Sequence, residues 1–309
     1  MGSESDKSTM RTLRLARVRL LRAALLCVLT LLGTEAFGRP AKSSAILWQP
    51  ATLVSGSPVL FEISAPTGTT AIAASWLNHE IIFSHGSGKL WYALAGVSLE
   101  TAPGSYTLVV SETVAGGKKI QIPRKIKIGR AVYPSVKVKV AKQFTEPSAE
   151  QLSAIAADKE IKQKTFAAVT PERQWNGAFL APATAGISDV FGTARVFNGE
   201  VQSRHQGLDF AVPAGTPIHA VNSGTVILAR PLFFEGNCIV LDHGQGLLSL
   251  YLHLSEFRVK EGDKVAPGQL LGLSGGTGRA SGPHLHLAVR WQGVYLNPAM
   301  LLKIKPPVE

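Results

Sequence analysis

Apolar positions recur along this chain with two different periods. From about Ala45 to Lys127 the runs are short and strand-like, as in "PVLFEIS", "AIAASWL", "EIIFS", "LWYALAG" and "SYTLVVSETVAGGKKIQIPRKIKI", with turn residues between them. The "AGG" at 115 to 117 stands between two β-branched runs and predicts a hairpin. This spacing predicts an immunoglobulin-like β-sandwich over residues 39–131, with Trp76, Trp91 and Tyr106 in its core. Between Thr145 and Val169 the pattern turns alanine-rich, and Ser148 with Gln151 forms a capping box. Residues 132–175 therefore read as a linker containing a helix. From residue 176 to 309 strands return, broken by glycine turns, in "GTPIHAVNSGTVILA", "NCIVLDHGQGLLSLYLHL", "DKVAPGQLLGLSG" and "HLHLAVRW". The fold class expected is mainly β, two β-rich domains joined by a helical linker.

The first 38 residues follow another pattern. Five arginines between Arg11 and Arg22 precede an apolar run from Ala23 to Leu32 and then small residues. That order predicts a secretory signal peptide cleaved after Ala36 or Gly38. The apolar run is short for a membrane span, so an uncleaved anchor is the second reading. Export to the periplasm or cell envelope follows from either, with secretion as the alternative for the cleaved chain and transient membrane contact through this segment only. Removal of the segment leaves Cys238 as the one thiol, so no internal disulfide supports the fold. The formal charge is +11, of which residues 1–38 hold a net of three, leaving +8. Such a balance favours acidic polymers. Zinc fingers, aromatic-rich basic strands and basic helices are absent from the sequence, which argues against nucleic acid.

The candidate chemistry lies in the histidines of the second β region. In "HLHLAVR" a strand directs His284 and His286 to one face, with Leu285 and Leu287 opposite. In "RHQGLDF", His205, Gly207 and Asp209 share a face if the segment is extended. A fully extended His205 to Asp209 span would be about 13 Å, too far for one ion. The chain is therefore expected to bend, with Gly207 as the permitting residue. His, Asp and a distant His make a three-ligand set with a fourth position open to water, the pattern of a catalytic zinc site. Spacing does not decide between His284 and His286 as the third ligand. In "LSLYLHLS" the residues Ser249, Tyr251 and His253 alternate with leucines, and His253 becomes a candidate general base. His79, His85, His219 and His243 have no partner at ligand spacing and read as structural.

With "ISDVFGTAR", "HQGLDFAVPAGTPIHAVNSGTVILA", "NCIVLDHGQGLLSLYLHLS", "VKEGDKVAPGQLLGLSGGTGRASGPHLH" and "LNP" in this order, residues 176 to 300 resemble the lysostaphin-type (LytM-like) zinc metallopeptidases of peptidoglycan. The resemblance implies a β-rich, sandwich-hybrid-like catalytic domain with one Zn²⁺ per chain. It implies His205, Asp209 and His286 as metal ligands, and His253 and His284 as the residues that assist catalysis. Stem peptides or cross-bridges of peptidoglycan are the implied partner. The oligomeric state is not readable.

Two further motifs carry simpler readings. "GLSGGTGR" lacks the Lys-Ser/Thr ending of a phosphate loop and precedes a strand, so it reads as turns beside His284. "VKEGDKVAPGQLLG" resembles the hammerhead turn of biotinyl and lipoyl carriers without their lysine, which a shared topology explains. A non-catalytic relative that activates a cell-wall amidase is the second functional reading. All five motif positions are filled, which favours an enzyme.

Overall fold

The structure is a computed structural model, and it describes residues 44–137, 147–167, 170–197 and 200–307. The expected signal peptide lies outside the described residues, as does part of the expected linker. Strands form where the sequence alternates. Ala45–Gln49, Pro58–Ser64, Leu90–Gly96 and Ser84–His85 make one antiparallel sheet in that order. A second sheet runs Leu53–Val54, Lys119–Gly129, Gly104–Val114, Thr69–Trp76 and His79–Ile82. Phe61 meets Trp76 edge-on at 5.4 Å, joining the inner faces of the two sheets into one sandwich. The predicted hairpin turns at Gly116 and Gly117, both with positive φ.

The second region is built on a large sheet in the order Ile187–Asp189, Gly207–Phe210, Leu285–Trp291, Leu247–Leu254, Gly236–Asp242, Gly224–Leu232 and Lys264–Val265. Val294–Leu296 adds to Leu285–Trp291 beside Gly207–Phe210. The two faces of this sheet differ. Leu208, Phe210, Ile239, Leu241, Tyr251, Leu285, Leu287 and Val289 belong to the main core. Val240, Leu248, Leu250 and Ala288 form a smaller apolar cluster on the other face. Asp209, His286 and Leu252 are direct cross-strand neighbours and share that second face.

The helix Ala149–Ala167 begins with the capping box predicted for it. Gln151 Oε1 accepts the Ser148 N–H at 2.8 Å and Ser148 Oγ accepts the Gln151 N–H at 3.3 Å. It docks on the second face, with Ile161 and Phe166 against the smaller cluster. Lys162 pairs with Glu235 at 2.6 Å, and the Asp158 carboxylate accepts the Phe233 N–H at 2.6 Å.

Residues 44–309 cluster as one compact unit. The main core is continuous from the sandwich into the large sheet. Tyr92 of the sandwich meets Trp175 at 5.7 Å, and His79 meets Trp291 at 5.0 Å. Gly96 lies so near Leu296 that a Cβ there would stand 2.4 Å from the leucine Cδ2.

Candidate metal centre

His205, Asp209 and His286 converge. His205 Nε2 lies 3.1 Å from Asp209 Oδ1 and 3.0 Å from His286 Nδ1, and His286 Nδ1 lies 2.8 Å from the same oxygen. Each ring is set by its surroundings. The Val190 carbonyl, 2.9 Å away, accepts from His205 Nδ1 and leaves Nε2 facing inward. Asp189 stands 3.4 Å from that Nδ1 and is itself tied to Arg195 at 2.5 Å. Nothing in the sequence singles out Asp189, because a short strand ending in aspartate is an ordinary surface pattern.

The local backbone explains why His205 and Asp209 meet. Asp209 belongs to the strand Gly207–Phe210, whereas His205 lies in the break after Glu200–Arg204 and bonds to Thr193. The bend thus falls at residues 205 and 206. Gly207 is already within the strand and is not among the glycines of positive φ. This corrects the role expected for it. A Cβ at Gly207 would lie 2.4 Å from His286 Nε2 and 2.6 Å from the Leu287 carbonyl oxygen. Glycine is required there by the close approach of the imidazole.

His253 carries a second correction. Strict alternation along Leu247–Leu254 would send it with Ser249 and Tyr251 into the main core, opposite His286. Instead the register with Gly236–Asp242 shifts between Asn237 and Ile239, and His253 takes φ +64. This bulge re-aims the ring onto the face of His286. His253 then lies 4.8 Å from His284 and 6.1 Å from His286, ring centre to ring centre. Its Nδ1 donates to the Thr277 carbonyl at 2.8 Å, leaving Nε2 as acceptor. His284 is held likewise by the Gly282 carbonyl at 2.8 Å, with Nε2 4.0 Å from Asp209 Oδ2. The run "GLSGGTGR" supplies Thr277 and the bridge between Gly275 and His284, so it shapes this wall of the site.

The electrostatics follow from burial and pairing. Burial acts to raise the Asp209 pKa, but hydrogen bonds from His205 and His286 outweigh it and hold the carboxyl well below the usual range. Burial acts to lower His205, and its contacts with Asp209 reverse this and raise it. Burial prevails for His286, which is lowered. It also pushes His253 down to about 4, partly offset by the Thr277 carbonyl. A buried, ionised carboxylate between two imidazole nitrogens is a donor set suited to a cation.

The remaining histidines have structural surroundings. His79 and His85 stack on Trp291 and Trp91. His219 lies by the Pro182 carbonyl. His243, at the hairpin turn expected there, turns its ring into the protein, where Nδ1 donates to Ser223 at 2.7 Å and Nε2 faces Ser249 Oγ at 2.8 Å.

Residues 203–298 match Peptidase family M23. The peptidoglycan DD-endopeptidase ShyA of Vibrio cholerae is 46% identical over 93 residues, 30% of this chain and 22% of that protein. The DD-carboxypeptidase/endopeptidase Mpg of Neisseria meningitidis is 40% identical over 94 residues, again 30% and 22%. The chain thus spans about a quarter of the length of the curated relatives it matches. A solved structure from Pseudomonas aeruginosa assigned to peptidase M23 is similar over 81% of this chain and 94% of its own, at 29% identity and a TM-score of 0.61.

Proposed function

We propose, from the lysostaphin-type M23 peptidase domain that this chain carries, that the protein is an exported zinc metalloendopeptidase hydrolysing peptide cross-links of bacterial peptidoglycan. The observation that carries the reading is the convergence of His205, Asp209 and His286 with two further histidines, tautomerically fixed, beside them. The named activities of the curated relatives support peptidoglycan as substrate. The positive formal charge suits an anionic envelope. The signal-like segment supports a periplasmic or envelope location, and the immunoglobulin-like reading of the first sandwich completes the proposed architecture.

The three donors fit zinc. Their separations of 2.8 to 3.1 Å are near the roughly 3.3 Å expected between ligands bonded at about 2.0–2.1 Å in a tetrahedron. Three protein ligands leave one position for water or substrate. A bound zinc ion would supply Lewis acidity, lowering the pKa of water and polarising the scissile carbonyl. The rest of the chemistry belongs to the chain. His253 is neutral at pH 7, so its Nε2 accepts a proton from the attacking water. The protonated His253 then delivers that proton to the departing amine, and His284, on the same side, stabilises charge developing on the carbonyl oxygen when its Nε2 also carries a proton. Gly207, Val190 and Thr277 hold the rings in the orientations these transfers need.

The test is to incubate the chain with peptidoglycan of known cross-link chemistry and weigh the products. New amino termini at cross-links are expected, lost on chelation and lost together with zinc in His205→Ala, Asp209→Ala and His286→Ala. Intact peptidoglycan beside a zinc-replete protein overturns the enzyme reading. Stimulation of an amidase by that same protein would then establish the regulatory one.

A further inference from the structure

A cavity lies away from the metal centre, where the sandwich, the docked helix and the end of the large sheet meet. It has a volume of about 460 Å³, within the range typical of small-molecule sites. Its lining is largely apolar, with Ile81, Ile82 and Leu94 from the sandwich, Phe166 from the helix and Leu248 from the sheet. Arg290 is the one cation among the lining residues.

Arg290 is half-buried, and its Nε is buried with no hydrogen-bond partner. Phe166 covers one face of the guanidinium at 4.3 Å, and Tyr295 stands at 6.0 Å. Among the described residues no carboxylate pairs with it. The arginines nearest in kind do have partners, since Arg195, Arg230 and Arg258 each meet an acid. A cation partly withdrawn from water, with its Nε buried and no counter-charge, carries a cost. The cost is offset when an anion completes the site. The surroundings are also fixed, because Gln292 donates to the Glu80 carbonyl at 2.7 Å and Gln245 to Ser84 Oγ at 3.2 Å. The rim is thereby held to the sandwich from both sides.

We propose that this cavity is a second ligand site, binding a carboxylate carried on an apolar body, with Arg290 taking the carboxylate and Ile81, Ile82, Leu94, Phe166 and Leu248 enclosing the rest. A planar guanidinium stacked on one face presents its edge, the geometry that a carboxylate matches. Such a carboxylate comes either from an apolar acid or from the C-terminus of a short peptide. The inference does not depend on the reading of the metal centre.

The test is calorimetric titration of the full chain in EDTA with octanoate, octanamide and N-acetyl-D-alanyl-D-alanine. One of the two acids should bind with one-to-one stoichiometry, and which one does identifies the source of the carboxylate. Octanamide should bind about 10- to 100-fold more weakly than octanoate if the apolar acid is the ligand. Arg290→Met, which keeps the apolar stem, should lose a similar factor for whichever acid binds. Should that variant fail to fold, Ile82→Trp at the exposed rim fills the cavity and should weaken binding instead. Failure of both acids to bind, binding that appears only when zinc is added, or unchanged affinity in a folded variant overturns the proposal.

Discussion

A hydrogen atom is all that the fold admits at the side-chain position of Gly207, because the His286 imidazole and the Leu287 carbonyl occupy the space a methyl group would need. Gly207→Ala should therefore displace one of the three proposed metal ligands, His286, without removing it. The expected outcome is a loss of about 10- to 100-fold in zinc affinity, the range for disturbed ligand support, read by competition with a chelating dye. Unchanged affinity would mean that the strand yields there. His253 and His284 make the opposite case, since they stand beside the ligand atoms without belonging to the three-donor set. His253→Ala and His284→Ala should each keep near-stoichiometric zinc and lose about 10² to 10⁴ in rate, as for a positioned acid or base. Both serve one reaction path, so the double variant should lose much less than the product of the two single losses. Metal content and cleavage rate on the three proteins decide this. Loss of zinc in His284→Ala with retention in His286→Ala would exchange their roles.

Strands and turns determine how much of this arrangement the sequence discloses. The two-residue period in "HLHLAVR" places His284 and His286 opposite the leucines, and Leu285–Trp291 has that orientation. Period alone fails for His253, because one extra residue in the strand reverses the face, and the leucine-rich run gives no sign of the bulge. It fails for Gly207 as well, since a close approach between strands distant in sequence leaves no local pattern. The hairpin at His243 shows the same limit. "DHG" reads as a turn, yet the imidazole ends a buried chain of hydrogen bonds through Ser249 and Tyr251 to the Val221 N–H. Donating through Nδ1 and accepting through Nε2 requires the neutral ring, and burial pushes its pKa down to about 4. An unfolded histidine titrates near 6.5, so below that pH the unfolded chain binds a proton that the folded chain refuses. Stability is therefore full above about pH 6.5 and falls as the pH drops toward 4. His243→Gln removes this titration. Between pH 7 and pH 5 in EDTA its stability should fall by about 2 kcal/mol less than that of the unaltered protein, measured by urea unfolding. Equal losses in both proteins would show that the buried ring does not govern this pH range.

At the scale of the whole molecule, the change of pattern between residues 132 and 175 predicts two folding units, because periodicity registers only what neighbours in sequence do. The apolar contacts lead to a different expectation. Trp175, Trp291 and Leu296 of the second region are almost fully buried, and each stands against the sandwich or within the core that it shares with it. Water would reach these side chains if the sandwich unfolded alone, at a cost of about 1.5–3 kcal/mol for each large apolar group uncovered. A few such groups account for much of the stability of an ordinary domain, so partial unfolding is disfavoured and the two regions should melt together. The contact between Gly96 and Leu296 offers a direct probe. Gly96→Val overpacks it and should destabilise the protein by about 1–3 kcal/mol. Because Gly96 belongs to the sandwich and Leu296 to the large sheet, a shared core transmits that loss to both. Calorimetry of the metal-free chain should show one transition, shifted as a whole in the variant, and cleavage activity should disappear with heat over the same interval once zinc is restored. Two transitions, of which only the sandwich's moves in Gly96→Val, would establish that the regions fold independently despite the contacts between them.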